Sequence, residues 1–142
     1  MSEQLQTLST TIRRAGYSMT NARSLVFSAL LDKEPQTMAE LAKATANTVN
    51  RASLYRIIAL FEQLGIVQRL QMGWKYKLEL SDSFAAHHHH LSCINCGLVQ
   101  SFEESTFITS ELKKLARENG FWQTGHQLEV RGYCRNCQPA LR

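Results

Sequence analysis

The sequence predicts an α+β protein with a helical N-terminal domain, residues 1–82, and a smaller α/β domain, residues 83–142. Three observations lead to this expectation. Apolar residues recur at helical spacing up to Leu64, and segments that alternate in polarity follow them. The polar residues 81–83 suit a linker, and four cysteines and a run of four histidines lie beyond it. With 142 residues, the chain is long enough for two small domains.

Four helices are predicted in the N-terminal domain from apolar periodicity and capping residues. The first spans residues 5–15 and ends at a glycine, and Thr20 is a suitable N-cap for the second. Residues 37–40 have the form of a capping box and begin a short third helix. One apolar stripe predicts the fourth helix, with Leu54, Ile57, Ile58, Phe61 and Leu64 on the same face.

Residues 66–70 and 75–80 alternate in polarity around Gly73, which predicts a β-hairpin after the last helix. Helices followed by a hairpin are the order of a winged helix-turn-helix, in which the last helix enters the DNA groove and the hairpin is the wing. The same order occurs in folds that bind no DNA, so this pattern leaves both possibilities open.

The C-terminal domain is predicted to contain a strand through the histidines, a strand at residues 98–102, a helix over residues 106–119 and a final strand at residues 126–130. A small unit of this kind has many strand edges, and exposed edges favour self-association. This pattern therefore suits self-association.

Charge supports a nucleic-acid partner only weakly. The formal net charge is +4, of which residues 1–82 contribute +3, with ten Lys and Arg against seven Asp and Glu. No apolar run approaches the ~20 residues that span a bilayer. Residues 1–6 lack the basic and apolar segments of a signal peptide. We expect a cytoplasmic protein without a membrane partner, in which Cys-x-x-Cys pairs bind metal or act in redox chemistry.

The cysteines form two Cys-x-x-Cys pairs, Cys93 with Cys96 and Cys134 with Cys137, separated by 37 residues. Two such turns complete a closed tetrahedral shell, which predicts structural zinc. A thioredoxin-like redox role fits less well, because neither pair lies at a strand-to-helix turn. Four thiolates also leave no open position for catalytic water, and the His-x-Glu element of a zinc deaminase is absent. We therefore do not expect an enzyme or a small-molecule substrate.

The histidine run predicts two further pairs of metal ligands. On a strand, His87 and His89 share one face, and His88 and His90 share the other. The fifth histidine, His126, could join either pair. Oxygen ligands are available from five acidic residues, which are Glu79, Asp82, Glu103, Glu104 and Glu111. Imidazole with carboxylate suits Fe(II), Mn(II), Zn(II), Ni(II) or Co(II). A tag remnant or a solvated polar strand is the alternative interpretation of the run.

Five stretches together resemble the ferric uptake regulator family, in order and spacing and over nearly the whole chain. They are residues 16–23, 52–56, 64–67, 87–96 and 126–134. The resemblance implies a homodimeric, cytoplasmic, metal-responsive transcription factor. In this family a winged-helix domain is joined by a hinge to a dimerisation domain.

The resemblance also implies functions for single residues. Tyr55 and Arg56 fall where the family's recognition helix meets DNA and Arg23 where a helix start meets phosphate, with Arg51 and Ser53 as neighbouring candidates. A core position is the alternative for Tyr55. Ser18 stands where the family often has a lysine that reaches the minor groove.

The regulatory metal site implied by the resemblance combines His88 and His90 with an upstream acidic residue, Glu79 first and Asp82 next. Glu34 is a further possible ligand. A second site would use His87, His89 and His126, completed by Glu104 or Glu111. Glu103 is another possible member of these shells.

The sequence therefore predicts a DNA-binding transcriptional regulator, in the first place a repressor of metal-homeostasis genes. It would carry structural Zn(II) and an exchangeable second metal, Fe(II) or Zn(II), and its partners would be a double-stranded operator and a second copy of itself. The alternative is a constitutive winged-helix DNA-binding protein with structural zinc alone.

Overall fold

The computed structural model describes residues 2–72 and 74–138, and the predicted α+β class is confirmed. The chain divides into two compact units, Met1–Ala86 and His87–Arg142. The division lies slightly later than the predicted boundary after Asp82. Within the described residues, no helix is both long and apolar enough to span a membrane.

The first unit begins with four helices, each started by a polar N-cap side chain. Thr20 caps the second helix as predicted, and Thr37 and Glu40 form the predicted capping box at the third. These caps satisfy backbone N–H groups that have no partner within the helix. The helices are α1 (Glu3–Arg14), α2 (Asn21–Leu30), α3 (Met38–Thr45) and α4 (Arg51–Gln63).

A β-hairpin completes the first unit, with β1 (Val67–Met72) antiparallel to β2 (Lys75–Leu80). Gly65, at φ +67°, turns the chain from α4 into β1, in a conformation that favours glycine. The core lies between the helices and the hairpin, and Phe27, Leu54 and Phe61 are fully buried in it. This packing fixes which face of α4 is turned outward.

In its described part, residues 87–138, the second unit has a three-stranded sheet in the order β4-β3-β5 and one helix. The central strand β3 pairs antiparallel with β4 and parallel with β5. The elements are β3 (His88–Cys93), β4 (Val99–Glu103), α5 (Thr106–Glu118) and β5 (Glu129–Gly132).

The final strand differs from the sequence prediction, which began it at His126. Parallel pairing with β3 begins only at His90 with Glu129, so the segment before Glu129 is irregular. His126 lies in that segment, where its side chain contacts Glu104 and Gln123. The contacts of His126 therefore determine the conformation of this segment more strongly than its alternating polarity does.

Candidate functional site

The four cysteines meet at one edge of the sheet in the second unit. Cys93 ends β3, and Cys134 follows shortly after β5. Because β3 and β5 are parallel, both Cys-x-x-Cys turns are carried to the same edge. A hydrogen bond of 2.9 Å from the Ile94 amide to the Gly132 carbonyl joins the two turns. We call Cys93, Cys96, Cys134 and Cys137 the four-cysteine cluster, and their sulfur atoms lie within 4.8 Å of one another.

The spacing of this cluster fits a tetrahedral metal ion. The Sγ atoms of Cys96 and Cys134 are 3.7 Å apart. Four sulfurs bound to zinc at ~2.3 Å lie about 3.8 Å from one another, whereas disulfide sulfurs are about 2.0 Å apart. All four cysteines are free thiols. The donor set and its spacing therefore suit Zn(II).

Backbone amides around this cluster favour a thiolate. Hydrogen bonds from the amides of Cys134 and Cys96 lower the pKa of the Cys93 thiol to about 6. At Cys96, the Leu98 amide also lowers the pKa, but the neighbouring thiols and burial outweigh it and raise the pKa to about 11. The backbone amides thus stabilise one thiolate in this cluster, and a bound cation would be needed to stabilise the other cysteines as thiolates.

A second group of ligand atoms gathers around one carboxylate. We call His87, His89, Glu104 and His126 the histidine–glutamate cluster, and their ligand atoms also lie within 4.8 Å of one another. The Nε2 atoms of His87 and His126 are 3.3 Å apart, and His89 Nε2 is 2.9 Å from Glu104 Oε1. His126 Nε2 also contacts Glu104 Oε1. Ligands bound at ~2.0–2.1 Å lie about 3.0–3.4 Å apart, so this cluster fits a divalent metal as well.

Glu104 is held as a carboxylate by this cluster. Its hydrogen bond with His89 is the main cause that lowers its pKa to about 2, and Thr109 and His126 act in the same direction against the cost of burial. The His89 side chain is only 1% exposed and that of Glu104 only 12%. A buried anion surrounded by three imidazoles has the composition of a cation site.

The other pair of histidines lies on the opposite face of β3. The rings of His88 and His90 have centroids 4.8 Å apart, as do those of His87 and His89. The predicted alternation of the run is therefore confirmed. Glu79 lies on β2 of the first unit, where its Oε1 accepts a 2.7 Å hydrogen bond from Gln68. Its participation in a site with His88 and His90 stays a prediction.

The remaining candidate carboxylates are exposed. Glu103 ends β4 opposite His88, and Glu111 lies on α5 outside the histidine–glutamate cluster, so Glu104 is the glutamate that this cluster contains. Glu34 and Asp82 belong to the first unit, and their participation as ligands stays a prediction.

The predicted DNA-contacting residues lie on two helices of the first unit. Arg51 is the first residue of α4, and Tyr55 is 52% exposed, so Tyr55 is not the core aromatic residue that was the alternative. Arg23 on α2 lines a depression of about 480 Å³ together with Ser53 and Arg56. The Arg56 guanidinium donates a 3.4 Å hydrogen bond to Ser53 Oγ. Two helices thus present arginines to one surface.

Two side chains next to the histidine–glutamate cluster were missed by the sequence analysis. Thr109 hydrogen-bonds Glu104 from the first turns of α5. Gln123 Nε2 lies 3.1 Å from His126 Nδ1. The closeness of Gln123 to His126 along the chain was the one available signal, and a polar residue in an irregular segment is too common for it to be specific.

Comparison with known proteins gives one consistent result. The sequence model of the Ferric uptake regulator family matches residues 14–131. The ferric uptake regulation protein of Bordetella parapertussis (strain 12822 / ATCC BAA-587 / NCTC 13253) is 40% identical over 91 residues, which cover 63% of this chain and 63% of that protein. The chain thus spans less than two thirds of the length of this relative.

Solved structures of similar proteins align over more of the chain. The Vibrio cholerae ferric uptake regulator has a TM-score of 0.73 at 27% identity, and the match covers 89% of this chain and 98% of that one. Its structure is described as revealing a rearrangement of its DNA-binding domains. A zinc-bound manganese uptake regulator has a TM-score of 0.67 at 28% identity, covering 90% and 98%.

Proposed function

We infer that this chain, which belongs to the ferric uptake regulator family, is a cytoplasmic, metal-responsive transcriptional regulator that represses metal-homeostasis genes. The observation that carries this proposal is the division of chemistry between the two units. The first presents arginines and Tyr55 on helices α2 and α4, and the second contains two groups of metal-ligand atoms. A DNA-binding surface joined to metal-binding residues is what a metal-dependent regulator needs.

The DNA-binding surface that we propose is the exposed side of α4 with the start of α2. Arg56 and Arg51 would contact bases or phosphates, and a bidentate arginine–guanine pair contributes about 1–3 kcal/mol of discrimination. Arg23, whose guanidinium contacts the Ser18 carbonyl and lies over the Tyr17 ring, would contact phosphate. The half-exposed Tyr55 ring would contact a base edge.

A second copy of this chain is the proposed protein partner. Helix α5 has no buried residue among those described, and Phe107, Leu115 and Val130 of the second unit are each at least half exposed. Apolar side chains that are exposed together in one small unit mark an interaction surface. A dimer would place two copies of α4 on one operator.

We assign the metals according to ligand chemistry. The four-cysteine cluster would hold structural Zn(II), and the histidine–glutamate cluster would hold a second divalent ion. His88 and His90 with Glu79 would form the exchangeable regulatory site, for which Fe(II) and Zn(II) are the candidates. Affinity order alone does not choose between these metals.

Regulation would follow from linkage between metal and DNA. Bound metal supplies directional bonds that hold its ligands at one spacing. If Glu79 and the two histidines share one ion, metal favours one arrangement of the two units, and DNA favours the same one. A coupling of about 1–3 kcal/mol corresponds to roughly 5–150-fold tighter DNA binding.

The His88→Ala, His90→Ala double variant tests this mechanism. It is expected to stay folded and to lose the metal-dependent increase in DNA affinity. Fluorescence anisotropy with labelled operator DNA, with Fe(II) or Zn(II) titrated into anaerobic protein, measures both affinities. The matched control replaces Glu111, which lies outside the metal-ligand groups, with alanine and is expected to behave as the wild type.

If the double variant still responds to metal as the wild type does, the proposed regulatory site is wrong. Wild-type protein that binds the operator equally with and without metal would instead support the constitutive alternative with structural zinc alone. The same assay identifies the metal that increases the operator affinity most.

Arg56→Gln tests the DNA surface directly. It is expected to lower operator affinity by about 1–3 kcal/mol, because it removes a charged donor from the exposed side of α4. Arg117→Gln is the matched control, since it removes the same charge from an exposed arginine in the last turn of α5. Equal losses in the two variants would mean that the effect is only one of net charge.

A further inference from the structure

Gln123 hydrogen-bonds the back of one imidazole in the histidine–glutamate cluster. Its Nε2 is 3.1 Å from His126 Nδ1. An amide nitrogen donates but does not accept hydrogen bonds, so Nδ1 must be the acceptor and the imidazole proton must be on Nε2. That Nε2–H faces the Glu104 carboxylate, which accepts it. The metal-free arrangement is therefore a chain of hydrogen bonds from Gln123 through His126 to Glu104.

Metal binding requires the other tautomer of His126. The Nε2 atoms of the three histidines are directed toward Glu104, so His126 would bind metal through Nε2. For this, Nε2 must lose its proton, and the neutral ring then carries one on Nδ1. A histidine that binds metal nearly always donates its second N–H to a fixed acceptor. Nδ1–H of His126 consequently needs an oxygen where an amide nitrogen now lies.

The same glutamine can supply that oxygen. Its Oε1 is buried and has no hydrogen-bond partner among the residues that the structure describes. A 180° rotation about the terminal bond of the side chain exchanges Oε1 and Nε2 in place. Since no hydrogen bond from the described residues holds the oxygen, the contact with His126 decides which way the amide faces. The rotated amide accepts from Nδ1–H and leaves the Nε2 lone pair directed at the cluster.

We propose that Gln123 is a positioning residue for metal at the histidine–glutamate cluster, which orients His126 and supports whichever tautomer the ring adopts. The inference rests on the proposed function, because it assumes that this cluster binds a divalent ion. It assigns a role to a residue outside the ligand set. Loss of such a partner lowers metal affinity by roughly 10–100-fold.

Zn(II) affinity of three variants tests this role. All are made in the full-length His88→Ala, His90→Ala protein with zinc already bound to the four cysteines, so that added Zn(II) reports on the histidine–glutamate cluster. Gln123→Met keeps the length of the side chain but removes the acceptor and is expected to weaken binding by roughly 10–100-fold. Gln123→Glu keeps an acceptor and is expected to restore wild-type affinity. Gln127→Met makes the same replacement at an exposed position and is expected to have no effect.

Nitrogen chemical shifts of the His126 ring distinguish positioning from a merely structural role. In wild-type protein the proton is expected on Nε2 without metal and on Nδ1 with Zn(II). In Gln123→Glu both ring nitrogens are expected to carry a proton without metal, because the carboxylate of Glu104 accepts from Nε2 and the introduced carboxylate accepts from Nδ1. Gln123→Met with wild-type affinity overturns the inference and leaves the proposed function intact. No uptake by the wild-type cluster, with unchanged His126 signals, overturns both the inference and the proposal of metal at this cluster.

Discussion

The two units bury different kinds of side chain. In the first, Phe27, Leu54 and Phe61 are fully buried in an apolar core formed by helices and the hairpin. In the second, Cys93 and Val99 are the only buried hydrophobic residues among those described, and polar His89 is nearly inaccessible. A small unit with little apolar burial needs a metal, a disulfide or a partner to be stable. The contrast predicts that the first unit is stabilised by packing and the second by ligands.

Removing the proposed zinc from the four-cysteine cluster gives the largest expected effect. Structural zinc sites contribute about 10–16 kcal/mol, more than the net stability of most small domains. Cys96→Ser, which removes one thiolate, should therefore unfold the second unit and leave the first unit folded. Backbone amide spectra of the full chain measure this, through loss of dispersion for residues 87–138 only.

Zinc added back to chelated wild-type protein is the control and should restore those signals. A Cys96→Ser protein with both units intact would show that the second unit does not depend on the thiolate site. Loss of both units together would show that the contrast between their stabilising interactions is wrong.

Replacing one phenylalanine in each unit is expected to give the next largest effect, and the two replacements compare the units directly. Phe61 is 0% exposed in the first unit, and Phe107 is 72% exposed on α5. Phe61→Ala should lower the free energy of unfolding of the first unit by about 3–5 kcal/mol, through lost burial and the cavity that remains. Hydrogen exchange resolved by segment measures this loss.

Phe107→Ala is the matched variant and should change the unfolding of the monomer by less than about 0.5 kcal/mol. It should instead raise the dissociation constant of the proposed dimer, which sedimentation equilibrium measures. If Phe107→Ala destabilised the monomer as much as Phe61→Ala does, α5 would pack within the chain and the proposed dimer surface would be wrong.

The features that were predicted correctly from the sequence are those that depend on residues close together along the chain. The Thr37 capping box and the alternating faces of His87–His90 follow from helix and strand geometry. The choice of Glu104 over Glu111 needed the register between strands. Because His88 pairs with Glu103 in antiparallel strands, Glu104 falls level with His87. No local pattern specifies such a register, nor does one direct Gln123 toward His126.

A smaller effect is expected from pH, through a carboxylate in the second unit that is not in a metal-ligand group. Burial raises the pKa of Glu129, but hydrogen bonds from Ser92 and Arg131 outweigh it, and the pKa is lowered. A lowered folded-state pKa stabilises the unit above the ordinary value of 4.5, and this stabilisation is lost as the pH falls through the folded-state value.

Glu129→Gln should therefore cost less than about 1 kcal/mol near neutral pH, since solvent screens this partly exposed pair. The difference from wild type should shrink below pH 4.5. Urea unfolding of both proteins across that range measures it, and Glu118→Gln, which alters an exposed carboxylate at the end of α5, is the control. A difference that grew on acidification would mean that Glu129 is protonated in the folded protein. The second unit would then owe its stability to metal and partner, with no measurable share from this ion pair.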